Sequence, residues 1–218
     1  MLAIRSLIVR GIEATGRTAN PQYPSFSIRR ENAPIPRVDL LDASRTPLLA
    51  RPYYEDGDPG PIVAALAHVP ELLEAVMPFL SAMYGPSALP SRIKEIVIVR
   101  TSSLLACRYC INAHSIVALD SGLSRDEVLA LRGSQDAATH FTDLSETALL
   151  NWIDAVAGSV GPVADDLNER FRDHFTEPDL VEITVLVAGT MMLNRFCTAL
   201  ELPSTPATMA RLAHENLL

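Results

Sequence analysis

The sequence predicts an all-α protein in which a series of helices follows an extended, proline-rich arm. Helix-initiating residues recur after residue 61, where Pro, Ser or Asp precedes an apolar stretch at the spacing of an N-terminal cap. Two β-branched runs, residues 96–99 and 183–187, have a local preference for strands. Each apolar stretch nevertheless continues well beyond the length of a typical strand. Length therefore favours helices in both places.

The first 60 residues are predicted to form the arm. Eight prolines between Ala19 and Pro61 interrupt any regular element. Apolar side chains recur along the same stretch, and a simple linker would not need them. They are Tyr23, Phe26, Leu40, Leu41, Tyr53 and Tyr54. We therefore expect the arm to wrap its own domain or a neighbouring subunit, with the neighbouring subunit favoured.

The first predicted helices have recognisable ends. Pro70 suits the first turn of a helix over residues 71–83. Gly85 closes that helix, and Pro78 is expected to kink it. Ser91 is expected to cap the helix that follows.

The next helices are marked by their caps. A third helix is predicted over residues 107–121, and Gly122 provides its left-handed stop. Ser124 and Glu127 have the spacing of a capping box at the start of a fourth helix.

Asp143 and Glu146 repeat the capping-box spacing ahead of a helix over residues 144–157. The single tryptophan of the chain, Trp152, lies in this helix and is expected in the core.

Two segments resemble copies of each other. In each copy an acidic residue precedes a β-branched run, and two further positions follow it at offsets of twelve and fifteen. These positions are Glu95, Cys107 and Cys110 in the first copy, and Glu182, Asn194 and Cys197 in the second. The match predicts an internal helical duplication within a domain over residues 61–218. The active repeat spans about residues 61–135, and a degenerate repeat with one remaining thiol spans about residues 142–202.

The densest chemical motif comprises Cys107, Cys110 and His114. In a helix, steps of three and four residues place all three side chains on one face. A thiolate rather than a thiol attacks a peroxide or a disulfide, and both a helix start and a nearby imidazole favour the thiolate. Attack on a hydroperoxide leaves a sulfenic acid, with which a second thiol condenses to a disulfide. The motif therefore predicts thiol redox chemistry.

Other interpretations of the motif stay open. The cysteine pair can be a buried structural element or part of a zinc site. The zinc ligands would be Cys107, Cys110 and His114, with Glu95 or Cys197 as the fourth. We predict neither a metal nor another cofactor, because the sequence has no second CxxC or HxxxH pair. Haem attachment is excluded, since Ile111 stands where that motif requires histidine. Cys197 is expected to be an inert buried thiol, with a redox role as the less favoured alternative.

Composition excludes several classes of partner. A formal net charge of −8 and a pI near 5.1 argue against a nucleic-acid surface, which needs clustered Lys and Arg. No apolar run approaches the roughly 20 residues that span a bilayer, and no secretion signal is recognisable. A transit peptide in residues 1–17 is disfavoured by Glu13 and the lack of a Ser-rich tract. We expect a cytoplasmic protein that binds neither nucleic acid nor membrane and has no disulfide scaffold.

Together these residues resemble the carboxymuconolactone decarboxylase superfamily, and within it the alkyl hydroperoxidase D-like branch. The resemblance covers about residues 61–131 and rests on a glutamate followed, after eleven residues, by Cys-x-x-Cys, three residues and histidine. The matching positions run from Pro70, Glu71, Leu72 and Leu73 through Arg92, Glu95, Cys107, Tyr109, Cys110 and His114 to Gly122, Leu123 and Ser124. The later half resembles the second repeat of the family more loosely.

The resemblance implies an alkyl hydroperoxidase D-like all-α fold, assembly into trimers or hexamers, and thiol-dependent peroxidase activity. By the same resemblance Cys110 is the peroxidatic thiol and Cys107 the resolving one. His114 and Glu95 form the proton relay. Tyr109 stands where the best-studied peroxidases have a second histidine, as it does in many members, so its phenol or a water is expected to support the relay.

Glu95 needs a bend in the chain to reach the thiols. Along one unbroken helix, twelve residues would leave it about 120° away from their face. A bend near residues 102–106 is therefore predicted.

These arguments predict a peroxidase or disulfide reductase that acts on hydrogen peroxide or small organic hydroperoxides. A lipoyl protein or a thioredoxin-like protein would supply the dithiol that resets the disulfide. The second hypothesis is a cofactor-free decarboxylase or isomerase of a small carboxylactone-type acid, with His114 and Glu95 as acid and base. The true lactone decarboxylases of the family generally lack the cysteine pair, which argues against it. The third hypothesis is a non-enzymatic helical assembly or partner-binding module.

Overall fold

A computed structural model describes residues 35–218 of the chain. Within this range a 3₁₀-helix over Leu48–Tyr54 precedes ten α-helices, and no strand occurs. The helices are α1 (Pro61–Leu66), α2 (Pro70–Tyr84), α3 (Ser91–Leu104), α4 (Arg108–Asp120), α5 (Arg125–Leu131), α6 (Ala137–His140), α7 (Leu144–Gly158), α8 (Asp165–Arg172), α9 (Glu177–Ala199) and α10 (Pro206–His214). The predicted all-α fold is confirmed over the described part of the chain.

Helices α3 and α9 form the centre of the molecule. Helix α3 packs against α4, α7 and α9, and α9 also packs against α2, α4 and α7. The β-branched residues 96–99 lie in α3 and are at most 1% exposed. Four consecutive buried residues mean that this turn of the helix packs against protein on every side, and that burial outweighs the strand preference of Val and Ile. Residues 183–187 lie in α9, so helices are confirmed for both runs.

Most predicted helix ends agree with the structure. Pro70 is the first residue of α2, and Gly85 follows its last residue. Gly122 stops α4 with a φ of 90°. Ser124 and Glu127 form the predicted capping box at α5. Each of these signals depends on a few consecutive residues, which is why the sequence alone predicts them.

Two predicted caps differ from the structure. Ser91 is the first residue of α3 and caps nothing, because Pro90 takes the N-cap position without a side-chain hydrogen bond. Asp143 caps α7 as predicted, accepting from the amides of Ser145 at 2.9 Å and Glu146 at 3.2 Å. The prediction that Glu146 completes this capping box was wrong. Its carboxylate accepts from a distant arginine rather than from the backbone amide of the N-cap residue.

That arginine, Arg92, joins three helices. Its Nε in α3 donates to Glu146 Oε1 in α7 at 2.7 Å, and its Nη2 donates to Glu127 Oε1 in α5. Glu127 also accepts from the Ser124 amide at 2.6 Å, so one carboxylate completes both the capping box and the ion pair. Burial opposes the charged form, but the hydrogen bonds from Arg92 and Ser124 outweigh it and lower the pKa of Glu127.

The described part of the arm packs on its own domain. The Leu41 amide donates to the Ala64 carbonyl at 3.3 Å, and the Tyr54 hydroxyl donates to the Leu41 carbonyl at 2.8 Å. A small second core lies beneath this segment and comprises Ala50, Tyr54, Val63, Ala67 and Leu73. Residues 1–34, with Tyr23 and Phe26, lie outside the described residues. Contact with a neighbouring subunit stays a prediction.

The prolines of the arm do not exclude every regular element. Pro52 lies inside the 3₁₀-helix Leu48–Tyr54, where the sequence analysis expected none. That expectation was wrong because the φ that proline imposes, near −65°, is also the φ of a 3₁₀-helix.

The two copies of the predicted repeat fold differently. The first copy breaks after Leu104 and resumes as a helix at Arg108, whereas the second is the unbroken helix α9. Gly189 lets α2 approach α9 closely, because a Cβ there would lie 2.3 Å from Met83 Sδ. The internal duplication and the boundary at residue 61 stay predictions.

Helix α9 is the one helix among the described residues whose length and composition would suffice to cross a membrane. It packs against four other helices, and Ile183, Val187 and Cys197 along it are buried. Its position is that of a core helix.

We expect Arg92→Ala to lower the free energy of unfolding at pH 7 by about 1 to 3 kcal/mol, because it leaves two part-buried carboxylates unpaired. The control is Arg170→Ala, which removes an exposed pair with Asp166 and should cost at most about 0.5 kcal/mol. Chemical denaturation measures both.

The pH dependence of this loss has a definite sign. The pKa of Glu127 is lowered in the folded state, so its contribution is present above the ordinary value of 4.5 and is lost as the pH falls through the folded value. The difference in the free energy of unfolding between wild type and Arg92→Ala should therefore become smaller as the pH falls. A difference that stays constant down to a pH of about 3 would contradict this assignment.

Candidate active site

The chain turns sharply between α3 and α4. Ala106 has a left-handed φ of 51°, and the Cys107 amide donates to the Ser102 carbonyl at 3.0 Å. Cys107 is thereby the N-cap of α4, and its Sγ accepts from the Cys110 amide at 3.4 Å. The bend lies where the sequence predicts it. It places Cys107 at the helix start, where unpaired amides favour a negative charge.

The same bend brings Glu95 to His114. Glu95 Oε2 and His114 Nδ1 are 3.0 Å apart, and both side chains are largely buried. With the carboxylate as acceptor, Nδ1 carries the proton and Nε2 is the basic nitrogen. The structure therefore assembles an oriented imidazole from residues on two helices.

A cavity lies beside Cys110. Its polar lining residues are Tyr84, Glu95, Tyr109, Cys110, His114, Thr190 and Asn194, and the rest of the lining is apolar. Neither Lys nor Arg occurs among the described residues of the lining, and Cys107 lies outside it. The cavity offers about 60 Å³ to water-sized molecules, room for about four of them. It suits the reacting end of a small organic molecule.

Cys197 joins the two cysteines of the motif. The three sulfur atoms all lie within 4.8 Å of one another, and all three residues are buried. Cys197 is buried, as predicted, but its place beside the cysteine pair was expected only in the less favoured redox and zinc interpretations. One feature of the sequence pointed to Cys197: it lies fifteen residues after Glu182, just as Cys110 lies fifteen residues after Glu95 in the predicted repeat.

The three thiols differ in acidity. Hydrogen bonds from the Cys110 and Cys197 thiols outweigh burial and lower the pKa of Cys107 to about 4. Burial, together with the bond to Cys107, raises the pKa of Cys110 well above its ordinary value. The bond to Cys107 also raises the pKa of Cys197. At neutral pH the thiolate is therefore Cys107, while the cavity-facing Cys110 is protonated.

Three close sulfur atoms are also a set that thiophilic metal ions use. A structural zinc site takes four ligands, and the other two predicted candidates, Glu95 and His114, bond to each other. The absence of a metal stays a prediction.

Two phenols border the cavity. Burial raises the pKa of both Tyr84 and Tyr109 well above the ordinary value, so both are neutral at pH 7. The Tyr84 ring packs against His114 with centroids 5.6 Å apart. Tyr109 was expected at the site, whereas no local sequence signal marked Tyr84.

Thr190 and Asn194 bring unsatisfied polar atoms to the cavity lining. Thr190 Oγ1 and Asn194 Nδ2 are buried and have no hydrogen-bond partner within the part of the chain that the structure describes. The Tyr84 hydroxyl lies near Thr190 without hydrogen-bond geometry. Asn194 Oδ1 accepts from Ser102 Oγ at 3.1 Å, which fixes the amide. Neither residue was predicted to belong to the site. Asn194 does lie twelve residues after Glu182, just as Cys107 lies twelve residues after Glu95.

Comparison with known proteins connects this site to a family. Residues 70–155 match the model of the carboxymuconolactone decarboxylase family. The uncharacterised protein YnjA of Escherichia coli is 23% identical over 173 residues, which cover 77% of this chain and 94% of YnjA.

Solved structures share the fold. The alkylhydroperoxidase AhpD core of an uncharacterised peroxidase-related protein from Ralstonia eutropha is 20% identical, with 83% of this chain and 98% of that chain covered and a TM-score of 0.71. The debrominase Bmp8 in complex with 2,3,4-tribromopyrrole is 21% identical, with 70% of this chain and 80% of that chain covered and a TM-score of 0.60. At these identities the likeness establishes the fold alone.

We expect one thiolate per chain at pH 7, visible as the ultraviolet absorbance of a thiolate. Because the pKa of Cys107 is lowered to about 4, the band should persist far below the pH at which a free cysteine protonates. Cys107→Ser should remove the band at pH 7. Cys197→Ala should keep it but shift its titration upward, since one donor to the Cys107 sulfur is lost. A full band in Cys107→Ser would place the charge on another sulfur.

Proposed function

The chain belongs to the carboxymuconolactone decarboxylase superfamily and has the all-α fold of its alkyl hydroperoxidase D-like members, and from this premise we propose that it is a thiol-dependent peroxidase. The proposed reaction reduces hydrogen peroxide or a small organic hydroperoxide. One arrangement supports it above all: the thiol of Cys110 lines a cavity together with an imidazole that a carboxylate orients, and the Cys107 sulfur lies next to it.

The first half of the reaction uses Cys110 and His114. The basic Nε2 of His114 takes the proton of the Cys110 thiol, and Glu95 stabilises the resulting imidazolium. The Cys110 thiolate attacks the outer peroxide oxygen, and the O–O bond breaks. The alkoxide leaves as an alcohol with the proton from His114, so Cys110 becomes a sulfenic acid.

The second half uses Cys107. Its thiolate attacks the Cys110 sulfur, the S–O bond breaks, and the hydroxide leaves as water after protonation. A disulfide joins Cys107 and Cys110. An external dithiol, from a lipoyl or thioredoxin-like protein, then reduces it by exchange. The low pKa of Cys107 suits this role, because its sulfur is already ionised when the sulfenic acid forms.

The cavity supports an apolar hydroperoxide as substrate. Its lining is largely aliphatic, and its unsatisfied atoms are a hydroxyl at Thr190 and an amide donor at Asn194. A buried polar atom without a partner costs about 1 to 3 kcal/mol, and a peroxide oxygen would relieve that cost at either residue. The same donors would stabilise negative charge on the leaving oxygen.

An acid–base reaction on a small carboxylactone-type acid is the second candidate, supported by the Glu95 and His114 pair in the cavity lining. A substrate carboxylate would find neither Lys nor Arg among the described lining residues to pair with. A non-enzymatic assembly module would have no use for the oriented imidazole. Both alternatives are therefore less well supported.

We further propose a cytoplasmic homo-oligomer, a trimer or hexamer, that binds neither nucleic acid nor membrane. Helices α2 and α9 expose apolar side chains of the kind that subunit interfaces cover. They are Leu72 and Phe79 on α2, and Val181, Val185 and Met192 on α9. These side chains support the assembly that the family resemblance implies.

Cys110→Ser should abolish hydroperoxide consumption with a dithiol donor, because no other thiol lines the cavity among the described residues. Glu95→Gln should lower kcat/KM by about 100-fold, as expected for loss of general acid–base assistance. The matched control is Glu182→Gln, since Glu182 holds the same position in the second copy but pairs with Lys94 at 3.0 Å. Full hydroperoxide turnover in Cys110→Ser would refute the proposed thiol mechanism, and no hydroperoxide turnover in wild type would favour the acid–base reaction.

Thr190→Val should lower kcat/KM for an organic hydroperoxide about threefold to tenfold, the effect of one lost hydrogen bond. The control is Thr101→Val, because Thr101 Oγ1 is also buried and unpartnered within residues 35–218 but does not line the cavity. Both substitutions replace a buried, unsatisfied hydroxyl with a methyl group, so both proteins should fold at least as stably as wild type. Equal kinetics in the two variants would argue against the hydroxyl as a substrate contact.

A further inference from the structure

Cys197 lies where the proposed peroxidase would form its oxidised intermediate. Its sulfur is within 4.8 Å of the sulfurs of both Cys107 and Cys110, and its side chain is 1% exposed. A sulfenic acid on Cys110 would therefore meet two thiols rather than one. The chain has three cysteines in all, and the structure gathers every one of them.

The backbone of α9 fixes this sulfur. Thr190, Asn194 and Cys197 follow one another at steps of four and three, so they share one face of the helix. Thr190 and Asn194 line the cavity that Cys110 also lines. Cys197 thus belongs to a rigid helix that faces the reacting thiol. The two sulfurs, which lie within 4.8 Å of each other, would have to approach to about 2 Å to form a disulfide.

The chemistry of Cys107 leaves room for a second resolving group. Cys107 Sγ accepts from the Cys110 amide at 3.4 Å and from both neighbouring thiols. Hydrogen bonding and a low pKa make a thiolate less nucleophilic than one of higher pKa. Cys197 carries a raised pKa and lacks the helix-start position. Cys107 is therefore the ionised sulfur and Cys197 the protonated one, and Cys197 becomes the stronger nucleophile only as its proton leaves.

We propose that Cys197 is a second resolving thiol, an inference that rests on the proposed peroxidase function. The Cys197 sulfur attacks the sulfenic sulfur of Cys110, the S–O bond breaks, and the hydroxide leaves as water with the Cys197 proton. Cys107 then attacks the Cys110 sulfur of this disulfide and releases Cys197 as a thiolate, which takes a proton from water. The product is the same Cys107–Cys110 disulfide, so the external dithiol acts unchanged.

The test uses Cys107→Ser, treated with one equivalent of an organic hydroperoxide. We expect a Cys110–Cys197 disulfide in peptide mass mapping without reductant, and little adduct with dimedone, a reagent for sulfenic acids. Cys107→Ser combined with Cys197→Ala should give several-fold more dimedone adduct on Cys110. An equally large adduct in Cys107→Ser alone would overturn the inference.

Two controls separate the possible failures. Wild-type protein that forms neither adduct nor disulfide would refute the peroxidase function itself, whereas a wild-type Cys107–Cys110 disulfide with no Cys197 disulfide in Cys107→Ser would refute only the inference. Circular dichroism establishes that each variant is folded. The same proposal can be tested in wild type by rapid acid quenching. The Cys110–Cys197 disulfide should appear before the Cys107–Cys110 disulfide. Its absence at every time point would contradict the exchange step.

Discussion

The break between α3 and α4 is the constraint on which the site depends. Ala106 takes a left-handed conformation that costs roughly 1 kcal/mol or more for a residue with a side chain. In return, α4 packs back against α3, Glu95 meets His114, and Cys107 occupies the start of a helix. An unbroken helix would provide none of these three features. The local strain is stable because residues 96–99 anchor α3 in the core.

The second copy shows what happens without the break. Helix α9 continues through the equivalent positions, and Glu182 pairs with Lys94 and accepts from Ser87 Oγ rather than orienting a histidine. The predicted second copy has no acid–base pair of this kind, but its side chains reach the site formed by the first. It supplies Thr190 and Asn194 to the cavity and Cys197 to the sulfur cluster. The two copies together form one site.

The sequence predicted features that depend on neighbouring residues. The capping box at Ser124 and the stop at Gly122 follow from spacings of a few positions. The unpredicted features depend on how helices pack. Glu146 had the right spacing for its own cap, but Arg92 was the stronger partner. The proximity of Cys197 to the cysteine pair does not follow from neighbouring residues in the sequence, because it depends on the packing of α9 against α4.

The distribution of charge among the sulfurs explains why the reactive thiol is protected. Burial raises the pKa of Cys110 and keeps it protonated, so in the proposed reaction Cys110 becomes nucleophilic only when His114 takes its proton. The Cys107 thiolate lies outside the cavity lining and beside the Cys110 sulfur, where the proposed sulfenic acid would form. In the proposed reaction the charged sulfur and the substrate-facing sulfur are therefore different atoms. A lysine or arginine in the lining would favour the Cys110 thiolate, and neither occurs among the described lining residues.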